Sequence, residues 1–348
     1  MAAEILQDLQ TRDFEQLVVC RDPGTGLESV IAIHDTTLGP ALGGVRMRRY
    51  DDPEAAVRDA MNLAHAMTYK SAVAGLDLGG GKSVINAPSD AVGRDGLLAA
   101  HARFIASLGG RYIPGADMGT GAADMELLAR HVTRVSSRRD PSRFTARGVL
   151  RALDAALQWS GAEDLCGQRV AVQGLGKVGT HLVELLRARG AEVIVTDIDP
   201  HRVRRMIDEH GVKAVPVDDI LSTDADIVCP CAAGGVLTEA AIQQLTARVV
   251  VPGANNVLAP DADAGMLAAR GIVFVPDFVA NAGGVIACEA EVKGTDDGIE
   301  AKIDAIGYTT TAILEEASQR GIDVVTVANM LAVRRLDERR QQRPYFSG

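Results

Sequence analysis

The sequence is poor in aromatic side chains and has no excess of positive charge. Phe, Trp and Tyr make up 3% of its 348 residues, and 46 acidic against 36 basic residues give a formal net charge of −10. Surfaces that bind nucleic acids combine basic patches with stacking aromatic rings, and anionic membranes also attract basic segments. The composition therefore disfavours a general nucleic-acid or membrane partner, but it is compatible with a local basic pocket for a small anion.

Cysteine pairs and long apolar runs are also scarce. The five cysteines form no CxxC pair, no HExxH pattern occurs, and the CPC at 229–231 is weak as a metal motif, so we predict no metal site. An odd number of cysteines favours a reducing compartment. No stretch approaches the roughly 20 apolar residues of a membrane helix. The first residues, MAAEILQDLQTRD, lack the basic start and apolar run of a signal peptide. We expect a cytoplasmic protein.

Glycine is the residue in excess. The chain has 36 glycines, whereas an average composition gives about 24. The excess shows neither the period of collagen nor a low-complexity stretch. In a folded protein, glycine marks tight turns and places where the backbone approaches a ligand. Because many glycines cluster in a few motifs, we interpret them as parts of ligand-facing loops.

The coarse pattern of strands and helices differs between the two parts of the chain. The first part mixes a predicted hairpin (16–20 and 28–34) with helices and a strand over 82–87. From about 146, short Val- and Ile-rich strands alternate with helices, which is typical of a mostly parallel, doubly wound sheet.

These patterns predict an α/β protein of two domains. The polar segment 136–143 is the predicted hinge. The first domain covers 1–140 and the second 141–322, and a C-terminal helix at about 323–348 is expected to return to the first domain.

The second domain opens with the motif VAVQGLGKVG, which contains GxGxxG. The motif lies between a predicted strand and a predicted helix, as in dinucleotide-binding sites. Its first glycine makes the turn, the second admits a pyrophosphate and the third lets helix and strand pack closely. Asp197 ends the next strand, where an acid accepts hydrogen bonds from the adenosine ribose, favouring NAD over NADP. The predicted cofactor residues here are Gly174, Leu175, Gly176, Val178, Gly179 and Asp197.

A second motif, AMTYKSAVAGLDLGGGKSVI, places Lys70 and Lys82 around a triple-glycine loop. Two lysines in a partly buried pocket lower each other's pKa, so one can act as a base while the other holds an anion. Backbone amides of Gly43 and Gly44 are candidate carboxylate contacts, and Asp117 is a candidate partner of the base.

A phosphate-binding P-loop is the rival interpretation of GGGKS. The first glycine of that motif would have to stand at position 76, which is leucine, and a strand follows where a P-loop needs a helix. The spacing therefore argues against a P-loop.

Taken together, the chain resembles the amino-acid dehydrogenase family, in its leucine, valine and phenylalanine branch. The likeness runs from TTLGPALGGVRM through MTYKSAVAGLDLGGGKSVI, VAVQGLGKVG and CPCAAGG to GANN and PDFVANAGGVI. It implies a substrate-binding and oligomerisation domain, a Rossmann-type NAD domain, and a cleft separating them. It also implies a homo-oligomer that oxidises an L-amino acid to a 2-keto acid and ammonium with NAD.

The resemblance also assigns roles to residues. Lys70, with Gly44 and Asn255, is expected to bind the substrate carboxylate. Lys82 is expected to activate the attacking water, with Asp117 assisting proton transfer at the amino group. On the cofactor side it implicates Thr145, Asn281, Cys231 and Ala232.

The family positions that line the side-chain pocket are Leu42, Gly115, Val285 and Cys288. Leu42 and Cys288 favour an apolar substrate. Gly115 resembles phenylalanine-type enzymes, whereas Leu42 and Val285 resemble the branched-chain type. A methylene discriminates by only about 1–3 kcal/mol, so Leu, Val, Ile, Phe and Trp all stay open as substrates.

Two positions depart from the family pattern, and two other functions compete with the leading one. Arg147 stands where relatives often have an aromatic residue, and Pro252 precedes GANN. A 2-hydroxy-acid dehydrogenase would share the nucleotide domain but usually needs a catalytic histidine, which none of the glycine-rich motifs supplies. A non-catalytic NAD-binding protein is disfavoured because both lysines and Asp117 are present.

Overall fold

The computed structural model describes residues 2–136, 139–260 and 262–342, and the chain divides into two compact units. The first unit comprises Met1–Arg139, Cys288–Asp296 and Ala332–Gly348; the second comprises Asp140–Ala287 and Asp297–Leu331. The first division falls within the predicted hinge, of which residues 137 and 138 lie outside the described residues. Residues 343–348 of the predicted C-terminal helix also lie outside them.

The first unit is built on a five-stranded mixed sheet in the order β1-β2-β4-β3-β5. The strands are β1 (Gln16–Asp22), β2 (Leu27–Asp35), β3 (Ala41–Arg48), β4 (Gly79–Asn86) and β5 (Tyr112–Ala116). The predicted hairpin is confirmed as the antiparallel pair β1 and β2. β2 is also antiparallel to β4, whereas β3 runs parallel to both β4 and β5.

Helices cover both faces of this sheet. They are α1 (Ala2–Thr11), α2 (Pro53–Val73), α3 (Arg94–Ser107) and α4 (Ala122–Leu128). α2 begins where the Asp52 carboxylate caps the amide of Glu54 at 3.0 Å, with Pro53 at a first-turn position that needs no donor. Alternate strand residues face the two helical layers: Val84 packs towards α2, and its neighbour Ile85 packs towards α3.

Three consecutive glycines shape the strand that carries Lys82. Gly79, Gly80 and Gly81 lie inside β4, so the prediction of a triple-glycine loop is wrong. A Cβ on Gly80 would overlap the backbone of Thr68 in α2, and one on Gly81 would lie 2.8 Å from Cδ2 of Tyr112. The glycines are needed because α2 approaches the strand backbone from one face and the Tyr112 ring covers it from the other.

The second unit contains a six-stranded, wholly parallel sheet, which confirms the predicted doubly wound architecture. Its strands are β6 (Arg169–Gln173), β7 (Glu192–Thr196), β8 (Lys213–Ala214), β9 (Ile227–Pro230), β10 (Val249–Val250) and β11 (Val273–Phe274). They lie in the order β11-β10-β9-β6-β7-β8. Counted within the unit from β8, this is the 3-2-1-4-5-6 order of the Rossmann fold.

Nine helices accompany the described part of the chain after residue 140. They are α5 (Ser142–Trp159), α6 (Lys177–Ala188), α7 (Pro200–His210), α8 (Glu239–Gln244), α9 (Ala264–Ala269), α10 (Asp277–Ala280), α11 (Gly283–Lys293), α12 (Ile299–Arg320) and α13 (Val324–Gln342). The division between the units falls inside α11 and α13. From Ala332 onwards, α13 packs within the first unit, where Arg335 donates to the carbonyl oxygen of Ala72 at 3.0 Å and Arg340 pairs with Asp35 at 2.8 Å.

Candidate functional site

In the first unit, the buried Lys82 forms an ion pair with the half-buried Asp117. Lys82 lies in β4 and is 6% exposed, and Asp117 directly follows β5. Lys82 Nζ lies 2.8 Å from Asp117 Oδ2. Thr120 steadies the acid, because its hydroxyl accepts from the Asp117 amide at 2.9 Å and donates to the Val45 carbonyl at 2.7 Å. The two predicted catalytic residues are thus in direct contact.

Gly44 provides the space in which this pair meets. β3 lies between β4 and β5, and a Cβ on Gly44 would lie 2.6 Å from the Asp117 Cβ and 3.1 Å from Lys82 Nζ. Gly43 faces the other way, where a Cβ would overlap the carbonyl oxygen of Gly81. Because the amides of a central strand point along the sheet towards its neighbours, the clearest local contribution of Gly44 is its missing side chain.

Arg46 is a further member of the site, and the sequence reasoning did not assign it a role. Its Nε donates to Asp117 Oδ2 at 2.8 Å, the same oxygen that Lys82 approaches. Side chains at alternate strand positions share a face, so Arg46 lies on the same side of β3 as Leu42 and Gly44. That alternation is the signal from which Arg46 could have been found.

Burial and neighbouring charges set the ionisation of the pair. Burial lowers the pKa of Lys82 and the charge of Arg46 lowers it further, whereas Asp117 and Asp59 act to raise it; the pKa stays below the usual lysine range. Burial alone would raise the pKa of Asp117, but Lys82 and Arg46 outweigh it and hold that pKa below its ordinary value. The arrangement pairs a lysine whose pKa is lowered with a carboxylate that stays ionised. Arg46 thus supplies a like charge beside Lys82, and the expected effect of Lys70 on Lys82 stays a prediction.

The predicted carboxylate-binding residue Lys70 is half-buried in the last turn of α2. Burial raises the pKa of the Cys288 thiol, and the charge of Lys70 acts against this. Cys288 is therefore a protonated, half-buried thiol close enough to feel the Lys70 charge.

Three of the four predicted pocket residues belong to the first unit. Leu42 is 3% exposed in β3, and Gly115 pairs with Gly44 across the β3–β5 register. A Cβ on Gly115 would meet Ser136 at 3.6 Å and beyond, which is ordinary contact. Cys288 is the third, whereas Val285 is a buried residue of the second unit.

In the second unit, the GxGxxG segment joins β6 to α6 as predicted. Gly174 has φ +94°, which favours glycine, and a Cβ there would lie 2.6 Å from that of Ala232. A Cβ on Gly179 would overlap the Gly174 carbonyl oxygen, so the first and third glycines serve packing within the protein. A Cβ on Gly176 would meet nothing within 4 Å. The open space before the amides of the α6 N-terminus suits a pyrophosphate.

Asp197 follows β7 and is bound to this turn. Its Oδ2 accepts from the amide of Leu175 at 2.6 Å, and its Oδ1 accepts from the amide of Asp199 at 2.8 Å. The Asp197 carboxylate therefore fixes the glycine-rich turn. Since each carboxylate oxygen has further acceptor capacity, it can also receive a ribose hydroxyl.

The loop after β9 packs against the same turn. The Cys231 amide donates to the Gln173 carbonyl at 2.7 Å. A Cβ on Gly253 would lie 2.7 Å from Cys231 Sγ and 3.2 Å from Val178 Cγ1, so these two side chains pack directly against the backbone of Gly253. Burial raises the pKa of Cys231 to about 12. The thiol is protonated and fills space beside the turn.

Asn281 and Asn255 are joined by a hydrogen bond in the second unit. The amide of Asn281, 3% exposed, donates to Asn255 Oδ1 at 2.8 Å and to the Ala254 carbonyl at 3.3 Å. Asn281 thereby holds the GANN loop. Thr145 donates to the Pro141 carbonyl at 3.0 Å, and Gly284 leaves room for the Thr145 hydroxyl.

Neither a metal site nor a membrane helix is found in the described part of the chain. No three His, Cys, Asp or Glu side chains among those residues are placed to hold a metal ion. None of the helices formed by those residues is long and apolar enough to cross a membrane.

Comparison with known protein families yields three matches. The dimerisation domain of Glu/Leu/Phe/Val dehydrogenases matches residues 14–134, and the Glutamate/Leucine/Phenylalanine/Valine dehydrogenase model matches residues 198–343. The NAD-binding domain of D-isomer-specific 2-hydroxyacid dehydrogenases matches residues 129–251. The last match covers the glycine-rich turn and most of the parallel sheet, whose strand order many NAD-binding domains share.

Individual relatives cover nearly the whole chain. Leucine dehydrogenase of Bacillus subtilis (strain 168) is 41% identical over 99% of this chain and 97% of that protein. Valine dehydrogenase of Streptomyces coelicolor is 44% identical over 97% of each. The crystal structure of L-tryptophan dehydrogenase from Nostoc punctiforme superposes with a TM-score of 0.86 at 36% identity, covering 97% of this chain and 99% of that one. With full-length relatives at this identity, and with the Lys82–Asp117 pair and the glycine-rich turn both in place, the chain belongs to the Glu/Leu/Phe/Val dehydrogenase family.

Proposed function

We propose that this chain catalyses the reversible, NAD-dependent oxidative deamination of a branched-chain L-amino acid to its 2-keto acid and ammonium. The observation that carries the proposal is the contact of the buried Lys82 with Asp117 in the space left by Gly44. A lysine whose pKa is lowered by burial can act as a general base near neutral pH.

In the proposed reaction, Lys82 removes a proton from the water that attacks the imino carbon of the oxidised substrate. Asp117 stays ionised beside Lys82 and assists the proton transfers at the leaving amino group. Lys70 and Asn255 bind the substrate carboxylate, the first as a cation and the second through its amide. NAD, when bound, accepts the hydride from the α-carbon.

We place the cofactor at the glycine-rich turn of the second unit. The open space at Gly176 and the N-terminus of α6 support a pyrophosphate there. Asp197 supports NAD rather than NADP, because a carboxylate beside the ribose repels a 2′-phosphate. Thr145 and Asn281 are the proposed neighbours of the nicotinamide, and Cys231 and Ala232 those of the ribose.

We propose leucine, valine and isoleucine as the preferred substrates. Leu42 and the protonated Cys288 offer no charge to an acidic side chain, and the names of the leucine and valine dehydrogenase relatives favour the same choice. Tryptophan and phenylalanine are the second candidates, favoured by the space at Gly115 and by the likeness to a tryptophan dehydrogenase.

We also propose that the protein works as a homo-oligomer in the cytoplasm. Its first unit matches a domain named for dimerisation. All five cysteines are free, which suits a reducing compartment. Sedimentation of the purified protein would test the first point.

The test is an absorbance screen at the NADH band. We expect NADH formation with branched-chain amino acids and NAD, weaker activity with NADP, and ammonium-dependent consumption of NADH with the matching keto acids. Lys82→Ala is expected to abolish turnover while binding NADH normally. Near-normal activity of Lys82→Ala would refute the mechanism, and reduction of keto acids without ammonium would favour a hydroxy-acid dehydrogenase instead.

A further inference from the structure

We propose that Arg46 is a positioning residue for the Lys82–Asp117 pair, and that Asp59 and Tyr50 hold Arg46 in place. The proposal rests on the deamination function proposed above, because it concerns the base of that reaction. It assigns a role to three side chains that the sequence motifs left without one.

The guanidinium of Arg46 bridges two carboxylates. Its Nε donates to Asp117 Oδ2 at 2.8 Å, while Nη1 donates to Asp59 Oδ2 at 3.0 Å and Oδ1 at 3.3 Å. The Arg46 side chain is 16% exposed. A planar guanidinium presents separate donors in fixed directions, which a lysine ammonium on a flexible stem does not. Arg46 therefore fixes the oxygen that Lys82 meets.

Asp59 and Tyr50 support the far side of the guanidinium. Asp59 projects from α2, and the Tyr50 hydroxyl donates a short hydrogen bond to its Oδ2. The Tyr50 amide in turn donates to the Asn86 side chain at 2.9 Å, at the end of the strand that carries Lys82. The guanidinium of Arg48 lies 4.8 Å from the centre of the Tyr50 ring. A row of contacts thus starts and finishes on β4; its members in order are Lys82, Asp117, Arg46, Asp59, Tyr50 and Asn86.

The row carries two positive and two negative charges in a half-buried setting. Three charged groups act on Lys82: Arg46 on β3, Asp117 at the end of β5 and Asp59 on α2. The last turn of α2 also carries Lys70. On β2, His34 contributes an imidazole that bonds to Thr68; burial lowers its pKa, so it adds no charge near neutral pH. Removing one charge from the row should therefore shift the ionisation of Lys82 in a direction fixed by the sign of that charge.

The experiment measures kcat/KM against pH for leucine or valine, whichever the wild type prefers. Lys82 must be neutral to act as a base, so activity falls on the acid side as Lys82 is protonated. Arg46→Gln removes a repelling charge and should move this acid limb up by about one pH unit. Asp59→Asn removes an attracting charge and should move it down. The ionisation of the substrate itself is the same for every variant and does not enter the comparison.

Two further variants separate charge, position and mere stability. Arg46→Lys keeps the charge but not the bridge, so the acid limb should stay near that of the wild type while kcat falls at least tenfold. Arg58→Gln removes one positive charge from the residue directly before Asp59 on α2. The Arg58 side chain is 55% exposed and pairs with Asp52 and Glu54. It should leave the profile unchanged.

The outcomes distinguish this proposal from the one on which it rests. An inactive wild type would overturn both. An active wild type, with Arg46→Gln and Asp59→Asn limbs that stay in place or move in the same direction, would overturn the role of Arg46 alone. If Arg46→Gln does not fold, the downward shift in Asp59→Asn and the kcat loss in Arg46→Lys still decide the matter.

Discussion

Gly44 lies so close to Lys82 that a single methyl group would reach the amine: a Cβ on Gly44 would stand 3.1 Å from Lys82 Nζ. It would also stand 2.6 Å from the Asp117 Cβ, a stiff part of that side chain. The pair can therefore keep its present geometry only if position 44 is glycine.

Gly44→Ala is accordingly expected to lower kcat/KM by about 100-fold, because a displacement near 1 Å at a reacting group costs roughly that much. Steady-state kinetics with the preferred amino acid measure the effect. Gly115→Ala is the matched control, since its Cβ would make only ordinary contacts. It should retain most of the activity towards small substrates and lose more towards aromatic ones. Equal losses in the two variants would contradict this account.

Substitutions at two glycines of the turn between β6 and α6 should separate effects on the free energy of unfolding from effects on NADH binding. Gly176→Ala meets no protein atom within 4 Å and has φ −66°, so its free energy of unfolding should stay within about 0.5 kcal/mol of the wild type. Its Kd for NADH should rise at least tenfold, because the methyl group occupies the proposed pyrophosphate space. Gly174→Ala combines a positive φ with a close contact to Ala232, and should cost about 2 kcal/mol of stability without cofactor. Urea unfolding and NADH fluorescence titration give the two readouts; unchanged NADH binding by Gly176→Ala would remove the turn from the cofactor site.

Acid should destabilise the protein through His101. Burial lowers the pKa of His101 to about 3, and its ring nitrogens bond to Ser29 and Ser83 at 3.0 Å. The unfolded chain binds a proton at this residue below about pH 6.5, whereas the folded protein does not until far lower pH. Stability is therefore complete above pH 6.5 and declines as the pH falls towards 3, by roughly 2 kcal/mol for this group between pH 7 and pH 5.

Urea unfolding at the two pH values measures that decline. His101→Gln should be less stable at pH 7 but lose less between pH 7 and pH 5 than the wild type. His201→Gln, at an exposed position, should leave the wild-type pH dependence unchanged. An undiminished decline in His101→Gln would show that other groups cause it.

Arg147, which departs from the family pattern, should contribute to stability only weakly. It forms an ion pair with Glu300. One helical turn later, Arg151 pairs with Asp304 at 2.7 Å, so two ion pairs join α5 to α12. The Glu300 side chain is 62% exposed, and exposed pairs contribute about 0.2–1 kcal/mol. Arg147→Ala should thus lower the free energy of unfolding by less than about 1 kcal/mol, and a double-mutant cycle with Glu300→Ala measures the pair alone. A loss of several kcal/mol would mean that Arg147 does more than pair with α12.

The sequence was most informative where the residues of one structural feature stand close together in a single motif. The parallel sheet followed from buried, Val-rich strands. The turn at Gly174 followed from a motif whose first and third glycines have a steric reason within the protein, while Gly176 faces open space. The contact of Lys82 with Asp117 was also anticipated, because the motifs named both residues.

Arg46 was missed for a physical reason. Its partners Asp59 and Asp117 lie 13 and 71 residues further along the chain, and only the packing of α2 and the β3–β5 register bring them together. The triple glycine misled for a related reason: Gly80 serves the approach of Thr68 rather than a ligand. Close packing between backbones leaves the same mark in a sequence as a ligand-binding loop does.

The glycines of β4 have a consequence for how such an enzyme can change its substrate. The main chain positions Lys82, because Gly80 and Gly81 let its strand pack closely between α2 and the ring of Tyr112. Side chains on other strands, such as Leu42, set the predicted pocket. Mutations in the pocket can then accumulate without moving the base. Such a scaffold would allow a family to keep one reaction while its members diverge in the amino acid that they prefer.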